Sequence, residues 1–415
     1  MIEALANAFR VPELRRRILF TLLIIGVYRL GAHIPVPGVD VAAIQGIIEG
    51  TASLDLLNLF SGGGLERFAV FSLGIMPYIT ATIIMQLLQG VIPKIEQWYK
   101  EGESGQRKIT QASRYLTLGI ALLESIGLLT VFRSTIGGSG FNLVTNAVIV
   151  ITLIAGTALI MWMGELITQR GIGNGMSLLI FASIVARFPV AIYQSLRLGN
   201  FGMVIAMMLI FVFVIAAIIY MERGQRRIPV QYAKRVVGRK VYGGSGTYIP
   251  LKVNGAGVIP IIFASALLFF PAQLAQLTNN VTIGRIGTAM SSGWVYYVFF
   301  GGLVVFFTYF YTALVFNPID LADNLRKNGG FIPGVRPGKA TVNYIESVMN
   351  RITLPGAVFI ALIAIAPTML FRVTGVTILE TFGGTSILIM VGVALETMTQ
   401  LESQLKMRHY DGFFK

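Results

Sequence analysis

Ten runs of mostly apolar residues occupy much of this chain of 415 residues, and they constrain its fold more than any other feature. A helix needs about 20 such residues to cross the hydrocarbon core of a bilayer. Only 13% of the residues are charged, whereas a soluble domain has about 25%. The sequence therefore predicts an all-α polytopic membrane protein and excludes a disordered chain. The ten predicted spans are residues 18–35, 68–92, 115–132, 147–168, 176–196, 203–221, 256–277, 294–316, 354–372 and 378–399.

The basic residues are distributed unevenly between the loops that join these runs. Of the 33 lysines and arginines, 26 fall on the side that holds both chain termini and seven on the other. Cytoplasmic loops carry the excess of positive charge, so both termini are predicted to be cytoplasmic. The net charge of +14 also suits a nucleic-acid binder, but the mean hydropathy of +0.73 favours a membrane protein. The seven exceptions are Arg29, Arg67, Arg133, Arg187, Arg197, Arg285 and Arg372.

Ten spans divide into two sets of five, which must be inverted relative to each other, as is common in membrane translocators. Residues 74–79 in the second span and 257–262 in the seventh both read Gly-x-x-Pro-x-Ile. Residues 174–180 and 383–389 open the fifth and tenth spans in register. The alternative is coincidence, because glycine and proline are frequent in membrane helices. The predicted organisation is an interfacial N-terminal helix (1–17), an N-terminal half (18–197), a C-terminal half (203–400) and a cytoplasmic tail (401–415).

The prolines of spans two and seven predict interruptions of those helices. Irregular backbone at membrane depth is tolerated where protein or a water-filled cavity covers it, so both spans are predicted to line a cavity. Apolar residues near the interruptions then predict a constriction that holds back water and ions by dewetting. The alternatives are kinks without function and ordinary packing or lipid contact. The five candidates are Ile75, Ile79, Ile180, Ile262 and Ile389.

A short apolar segment and a single acidic residue inside the predicted membrane region do not fit the pattern of simple spans. Residues 54–67 are too apolar for an exposed loop and too short to span, which predicts a re-entrant or cavity-filling helix that ends at glycines; an interfacial helix is the alternative. Glu124 is the one acidic residue well inside a span. It is either a partner for a neighbouring helix or a functional carboxylate.

Two cytoplasmic loops, residues 222–254 and 318–351, are rich in basic side chains. The first holds eight basic residues, and its alternating apolar residues on either side of Gly243–Gly246 predict a protruding β-hairpin with a basic tip. These loops are predicted to dock phosphates or an acidic protein surface, although the positive-inside bias alone explains part of the charge.

The chain has no cysteine and two histidines, and it shows no catalytic or phosphate-binding motif. We therefore expect no metal, no cofactor and no enzymatic activity.

Taken in order, several segments resemble the SecY/Sec61-alpha family of protein-conducting channels over nearly the whole chain. They are residues 32–38, 74–79, 171–177, 232–235, 255–260, 336–338 and 382–386. The resemblance implies two inverted five-helix halves around a central pore, in the cytoplasmic membrane of a bacterium. It implies translocation of secretory polypeptides and lateral release of membrane segments. A secondary transporter of a small solute is the alternative.

The resemblance also implies roles for individual residues. The pore ring corresponds to the five isoleucines named above. The plug corresponds to residues 54–67, with Leu57, Phe60, Ser61, Gly62, Gly63 and Gly64. The lateral gate corresponds to Thr80, Gln86 and Asn254, and the docking surface to Arg235, Arg239, Lys240 and Arg336. The implied partners are the SecE and SecG membrane subunits, the SecA ATPase, the ribosome (its RNA and proteins), signal peptides, translocating polypeptides and membrane lipids.

Overall fold

The computed structural model describes residues 8–37, 39, 41, 44, 57–132, 143–197, 201–232, 235–237, 240–242, 246–278, 293–374 and 383–411. Most of these residues are helical. The helices are α1 (Pro12–Gly31), α2 (Met76–Gln89), α3 (Pro93–Lys100), α4 (Glu103–Val131), α5 (Leu143–Arg170), α6 (Gly175–Arg197), α7 (Phe201–Arg223), α8 (Ile259–Thr278), α9 (Gly293–Val315), α10 (Pro318–Lys327), α11 (Lys339–Thr374) and α12 (Gly384–Asp411). The strands are β1 (Gln225–Tyr232), β2 (Arg235–Val237), β3 (Lys240–Tyr242), β4 (Thr247–Lys252) and β5 (Gly330–Phe331).

Each of the ten predicted apolar runs overlaps one of these helices. Within the described residues, five helical stretches are long and apolar enough to cross a membrane, and the pair α2 and α3, bent by 99°, would make a sixth. The five are Glu103–Val131, Leu143–Arg170, Gly293–Lys327, Lys339–Leu370 and Gly384–Met407. The structure thus confirms a polytopic helical membrane protein, while the count of ten spans stays a prediction.

The chain separates into two compact units. The first comprises residues 1–204, 265–297 and 393–415, and the second comprises residues 205–264 and 298–392. In the first unit, α4 packs between α2 and α5, and α5 also contacts α1 and α6. The predicted boundaries between an N-terminal and a C-terminal half stay a prediction.

The N-terminal segment joins the first unit by an apolar contact. Ala8 and Leu14 are buried in one cluster with Ile172 and Leu401. Residues 1–7 of the predicted interfacial helix lie outside the described residues. Helix α1 begins at Pro12, where a proline fits because the first-turn N–H has no partner inside the helix.

The matched Gly-x-x-Pro segments do not interrupt helices; they begin them. Gly74 and Gly257 have φ angles of 57° and 62°, a region that favours glycine. Helix α2 begins two residues after Gly74, and α8 begins two residues after Gly257. The proline is the second helical residue in both cases, where its missing N–H removes no helical hydrogen bond. The prediction that these prolines interrupt the helices of spans two and seven is therefore wrong, but both units use the same local geometry.

The second pair of matched segments is also alike in geometry. Gly175 begins α6, and a Cβ atom there would clash with the carbonyl of Gly164 in α5. Gly384 begins α12, and a Cβ atom there would clash with the carbonyl of Ile363 in α11. A helix that begins with its glycine packed on a carbonyl of the preceding helix is thus found at both matched positions, which supports the repeat.

The two basic loops of the second unit form one body. Strands β4, β1 and β5 form a sheet, in which β1 pairs antiparallel with β4 from the first loop and with β5 from the second. Strands β2 and β3 form a separate hairpin. One face of the sheet packs on α10 and α11. We call the body formed by the two loops the cytoplasmic body, after the side on which these loops are predicted to lie, and its buried residues are Ile228, Val230, Leu251, Leu325, Ile332, Ile345 and Met349.

The pairing of β1 with β4 confirms the predicted hairpin. Its end is more elaborate than predicted, because β2 and β3 are inserted between the two long strands. Residues 243–245 of the predicted glycine-rich turn lie outside the described residues.

Candidate functional site

The segment that follows residue 56 is irregular and yet deeply buried. Leu57 to Phe60 form one helical turn, which ends at Gly62 and Gly63 with φ angles of 66° and 83°. The side chains of Leu57, Phe60 and Ser61 are buried. The prediction of a short helix ended by glycines is confirmed for residues 57–67, and residues 54–56 lie outside the described part of the chain.

Hydrogen bonds inside this segment satisfy its irregular backbone. The N–H groups of Ser61 and Gly63 donate to the carbonyls of Leu57 and Asn58, at 3.0 and 2.9 Å. The hydroxyl of Ser72 donates to the carbonyls of Ala69 and Gly64, at 2.6 and 3.2 Å. Buried non-helical backbone at membrane depth requires such partners, so the sequence encodes a defined fold here.

A second set of bonds ties the segment to the chain that follows α1. The N–H of Val36 donates to the carbonyl of Phe68 at 2.8 Å, and the N–H of Val70 donates to the carbonyl of Ile34 at 2.9 Å. The segment is therefore anchored at its C-terminal end, at the point where the chain leads towards α2.

The segment packs beside two of the candidate pore residues. A Cβ atom at Gly74, next to Ile75, would lie 3.0 Å from the carbonyl oxygen of Phe60. A Cβ atom at Gly62 would lie 3.1 Å from the Cα of Ser183, three residues after Ile180 in α6. Both glycines also have positive φ angles, so a side chain at either position would be strained as well as tightly packed. Gly62 and Gly74 thus seat the segment against the backbone that carries Ile75 and Ile180.

All five candidate pore residues are buried. Ile75 precedes α2, Ile79 lies in its first turn, and Ile180 lies in α6, all in the first unit. Ile262 lies in α8 and Ile389 in α12, both in the second unit. Each therefore lies just before or within the first two turns of a helix that the repeat pairs with another.

The candidate gate residues differ in their surroundings. The hydroxyl of Thr80 donates to the carbonyl of Met76 in its own helix at 3.0 Å. The amide nitrogen of Asn254 donates to Oε1 of Glu222 at 2.5 Å and to the carbonyl of Gly257 at 3.0 Å. Among the described residues, Oε1 of Gln86 and Oδ1 of Asn254 are buried without a hydrogen-bond donor. A buried acceptor without a donor costs free energy, so a rearrangement that brings a donor to either oxygen is favourable.

The candidate docking residues belong to the cytoplasmic body. Arg235 lies in β2 opposite Tyr242, and Lys240 begins β3 opposite Val237. Arg336 has an exposed side chain, and its carbonyl accepts a hydrogen bond of 2.9 Å from the hydroxyl of Thr341. Arg239 lies outside the described residues.

Sequence reasoning missed several polar residues of the site. Tyr28 and Ser183 join α1 to α6, and Asn58 and Glu66 of the segment 57–67 form a polar network with Arg187 of α6. Glu222 supports Asn254. For Arg187 the sequence did contain a signal, because it is one of the seven basic residues that fall on the side predicted to be non-cytoplasmic.

Glu124 is buried in α4, and its Oε2 accepts no hydrogen bond from the described residues. No group of three or more histidine, aspartate or glutamate side chains in the described part of the chain is placed to hold a metal ion.

Solved structures share this fold. A protein-conducting channel matches with a TM-score of 0.67 at 18% identity, over 96% of both chains. A SecY protein whose plug domain stabilises the closed state and maintains a membrane seal matches with a TM-score of 0.61 at 18% identity. Sec61 of the canine ribosome–channel complex from the endoplasmic reticulum matches with a TM-score of 0.61 at 16% identity. The last two matches also cover 96% of both chains. The fold is thus that of a polytopic helical channel.

Sequence comparison identifies the family. The SecY family model matches residues 69–398. The protein translocase subunit SecY of Streptomyces scabiei is 49% identical, and that of Mycobacterium bovis is 47% identical, each over the full length of both chains. The chain belongs to the SecY family.

Proposed function

We propose that this chain is the channel subunit of a protein translocase in the bacterial cytoplasmic membrane, with both termini cytoplasmic. It translocates secretory polypeptides across the membrane and releases membrane segments sideways into it. The observation that carries the proposal is the buried segment 57–67, which is seated by Gly62 and Gly74 against the backbone beside Ile180 and Ile75. A seal built from a removable segment suits a pore that opens only when a polypeptide arrives.

The five isoleucines are proposed to form the pore ring. Their side chains carry no charge and no hydrogen-bonding group, so they bind a passing polypeptide weakly whatever its sequence. A narrow apolar ring also excludes water and ions by dewetting. Burial of all five supports this assignment over lipid contact.

Thr80, Gln86 and Asn254 are proposed to line a lateral gate. Interhelical polar contacts in membranes stabilise by about 0.6 to 2 kcal/mol each, which is small enough for an apolar signal segment to displace. The buried acceptors of Gln86 and Asn254 that lack a described donor support a role in such an exchange.

The cytoplasmic body is proposed to dock the partner that supplies energy, either the SecA ATPase or the ribosome. The chain itself is proposed to be no enzyme, with SecE and SecG as its membrane subunits. Exposed Arg336 and the basic hairpin of β2 and β3 suit phosphates or acidic side chains. A ribosome-bound channel among the structures of the same fold supports this partner class.

Reconstitution tests the proposal. The chain, purified with its two small membrane subunits, is placed in liposomes with a motor ATPase, ATP and a secretory preprotein. Protease-protected preprotein inside the liposomes is the expected result. Accumulation of a small solute without polypeptide transport would instead favour the transporter alternative.

A further inference from the structure

Three of the seven basic residues on the non-cytoplasmic face lie together around the plug. Because the positive-inside bias disfavours arginine on this face, those that are present there require an explanation. Nη1 of Arg29 donates to the carbonyl of Gly62 at 2.9 Å, and Nη2 of Arg187 donates to Oε1 of Glu66 at 3.0 Å. Arg67 follows Glu66 in the segment itself. Arg29 thus contacts the backbone of the plug, and Arg187 contacts Glu66, whose carboxylate is the one among the plug's described residues.

Glu66 is the centre of this network. Its Oε1 accepts from Nδ2 of Asn58 at 2.6 Å as well as from Arg187, and its own N–H donates to Oδ1 of Asn58 at 3.2 Å. Asn58 is completely buried. Glu66 is therefore hydrogen-bonded to Asn58 within the plug and ion-paired with Arg187 on α6.

The ion pair is partly shielded from solvent. The side chain of Arg187 is 17% exposed and that of Glu66 is 37% exposed. Exposed ion pairs contribute little, whereas removing one partner of a shielded pair leaves a charge without its compensation. The pair therefore favours the position of the plug that brings the two groups together.

We infer that Glu66 and Arg187 are positioning residues whose ion pair latches the plug to α6 and sets how readily a polypeptide opens the pore. The inference rests on the proposed function of residues 57–67 as a plug. Arg29 makes a second contact with the plug, through the Gly62 carbonyl, but that hydrogen bond does not involve a side chain of the plug. The Glu66–Arg187 pair is therefore the one that side-chain exchange can test.

The test measures ion conductance of the purified complex in planar bilayers. Glu66→Gln and Arg187→Gln each remove one charge, and the double variant Glu66→Arg/Arg187→Glu exchanges them. Resting conductance is expected to rise about fivefold in each single variant, the effect of weakening the closed state by a small part of its stability. The exchange variant is expected to return towards the wild-type level, because it restores the attraction.

A matched control breaks another ion pair of the same unit. Nε and Nη2 of Arg114 donate to the two carboxylate oxygens of Glu165 at 2.8 and 2.6 Å, which joins α4 to α5 without involving a residue of the plug. Glu165→Gln is expected to leave the resting conductance unchanged. A general loss of packing would raise it in the control as well.

Each outcome decides the inference. Wild-type conductance in both single variants overturns it, and so does an exchange variant that leaks as much as they do. If the neutral variants fail to purify, Glu66→Asp keeps the charge on a shorter side chain; raised conductance supports the latch and unchanged conductance overturns it. Failure of the proposed function is seen separately, as a wild-type complex that a signal peptide does not open.

Discussion

The hydroxyl oxygens of Tyr28 in α1 and Ser183 in α6 lie 2.6 Å apart, in a buried contact between helices 155 residues apart in sequence. The Tyr28 hydroxyl also lies 3.4 Å from the carbonyl oxygen of Ser61. One phenol thus contacts both α6 and the segment 57–67 that is proposed to be the plug.

Tyr28→Phe is expected to raise resting ion conductance and to lower stability by about 1 kcal/mol, the usual value of one buried hydrogen bond. Conductance in planar bilayers and thermal unfolding in detergent measure the two effects. Tyr115→Phe is the control, because Tyr115 is exposed on α4. Equal effects of both substitutions would contradict a specific role of Tyr28.

Replacing a pore-ring residue with a polar one is expected to hydrate the constriction. Ile79→Asn and Ile262→Asn should raise the resting conductance and relax the discrimination between signal sequences, because dewetting requires apolar walls. Ile79→Leu keeps the apolar character and should remain close to wild type. Unchanged leak in both asparagine variants would argue against an apolar barrier at these positions.

The docking surface is expected to act by charge. Arg336→Glu should weaken binding of the motor or the ribosome while leaving insertion and folding intact, and binding by the wild type should fall as salt increases. Arg107→Glu is a control, since Arg107 is exposed outside the cytoplasmic body. Binding measured by sedimentation at several salt concentrations decides the matter, and a salt-independent affinity would oppose the electrostatic explanation.

The lateral gate is expected to respond to Asn254. Asn254→Leu removes the hydrogen bonds to Glu222 and to the Gly257 carbonyl and should shift the balance between the open and closed gate. Cysteines introduced in α2 and α8 report this balance by cross-linking, without interference because the native chain has none. Cross-linking that is the same with and without a trapped signal segment would place the gate elsewhere.

The helix starts that the repeat shares are expected to require glycine. Gly175→Ala and Gly384→Ala introduce a Cβ against a carbonyl of the preceding helix and should each destabilise by about 1–3 kcal/mol. In Gly119→Ala the new Cβ meets open space, so that helix should be unchanged or slightly stabilised. Thermal unfolding of the three variants in detergent compares them directly.

The sequence predicted the positions of the helices well because long apolar runs leave few alternatives. The β1–β4 hairpin was also predictable, since Ile228 and Val230 alternate with exposed residues. Pro77 and Pro260 were misread, because a proline inside an apolar run looks the same whether it kinks a helix or begins one. The φ angles of Gly74 and Gly257 distinguish the two cases, and they depend on tertiary packing.

The polar contacts of the plug could not be predicted in the same way. Glu66 and Arg187 are 121 residues apart, and nothing in their local sequence specifies that they meet. The same holds for Tyr28 and Ser183. Periodicity and composition identify faces and spans, whereas pairing across such distances is fixed only when the helices pack.

Helix α11 has a mechanical consequence. It contributes Ile345 and Met349 to the core of the cytoplasmic body and then continues without a loop through the predicted ninth span, to Thr374. At 1.5 Å per residue its 36 residues extend about 54 Å. Pro355 stands at the start of that span and removes one helical hydrogen bond there. Pro367 removes a second helical hydrogen bond near the other end of the span, so any tilt of the cytoplasmic body would reach the span through a continuous helix with two weakened points.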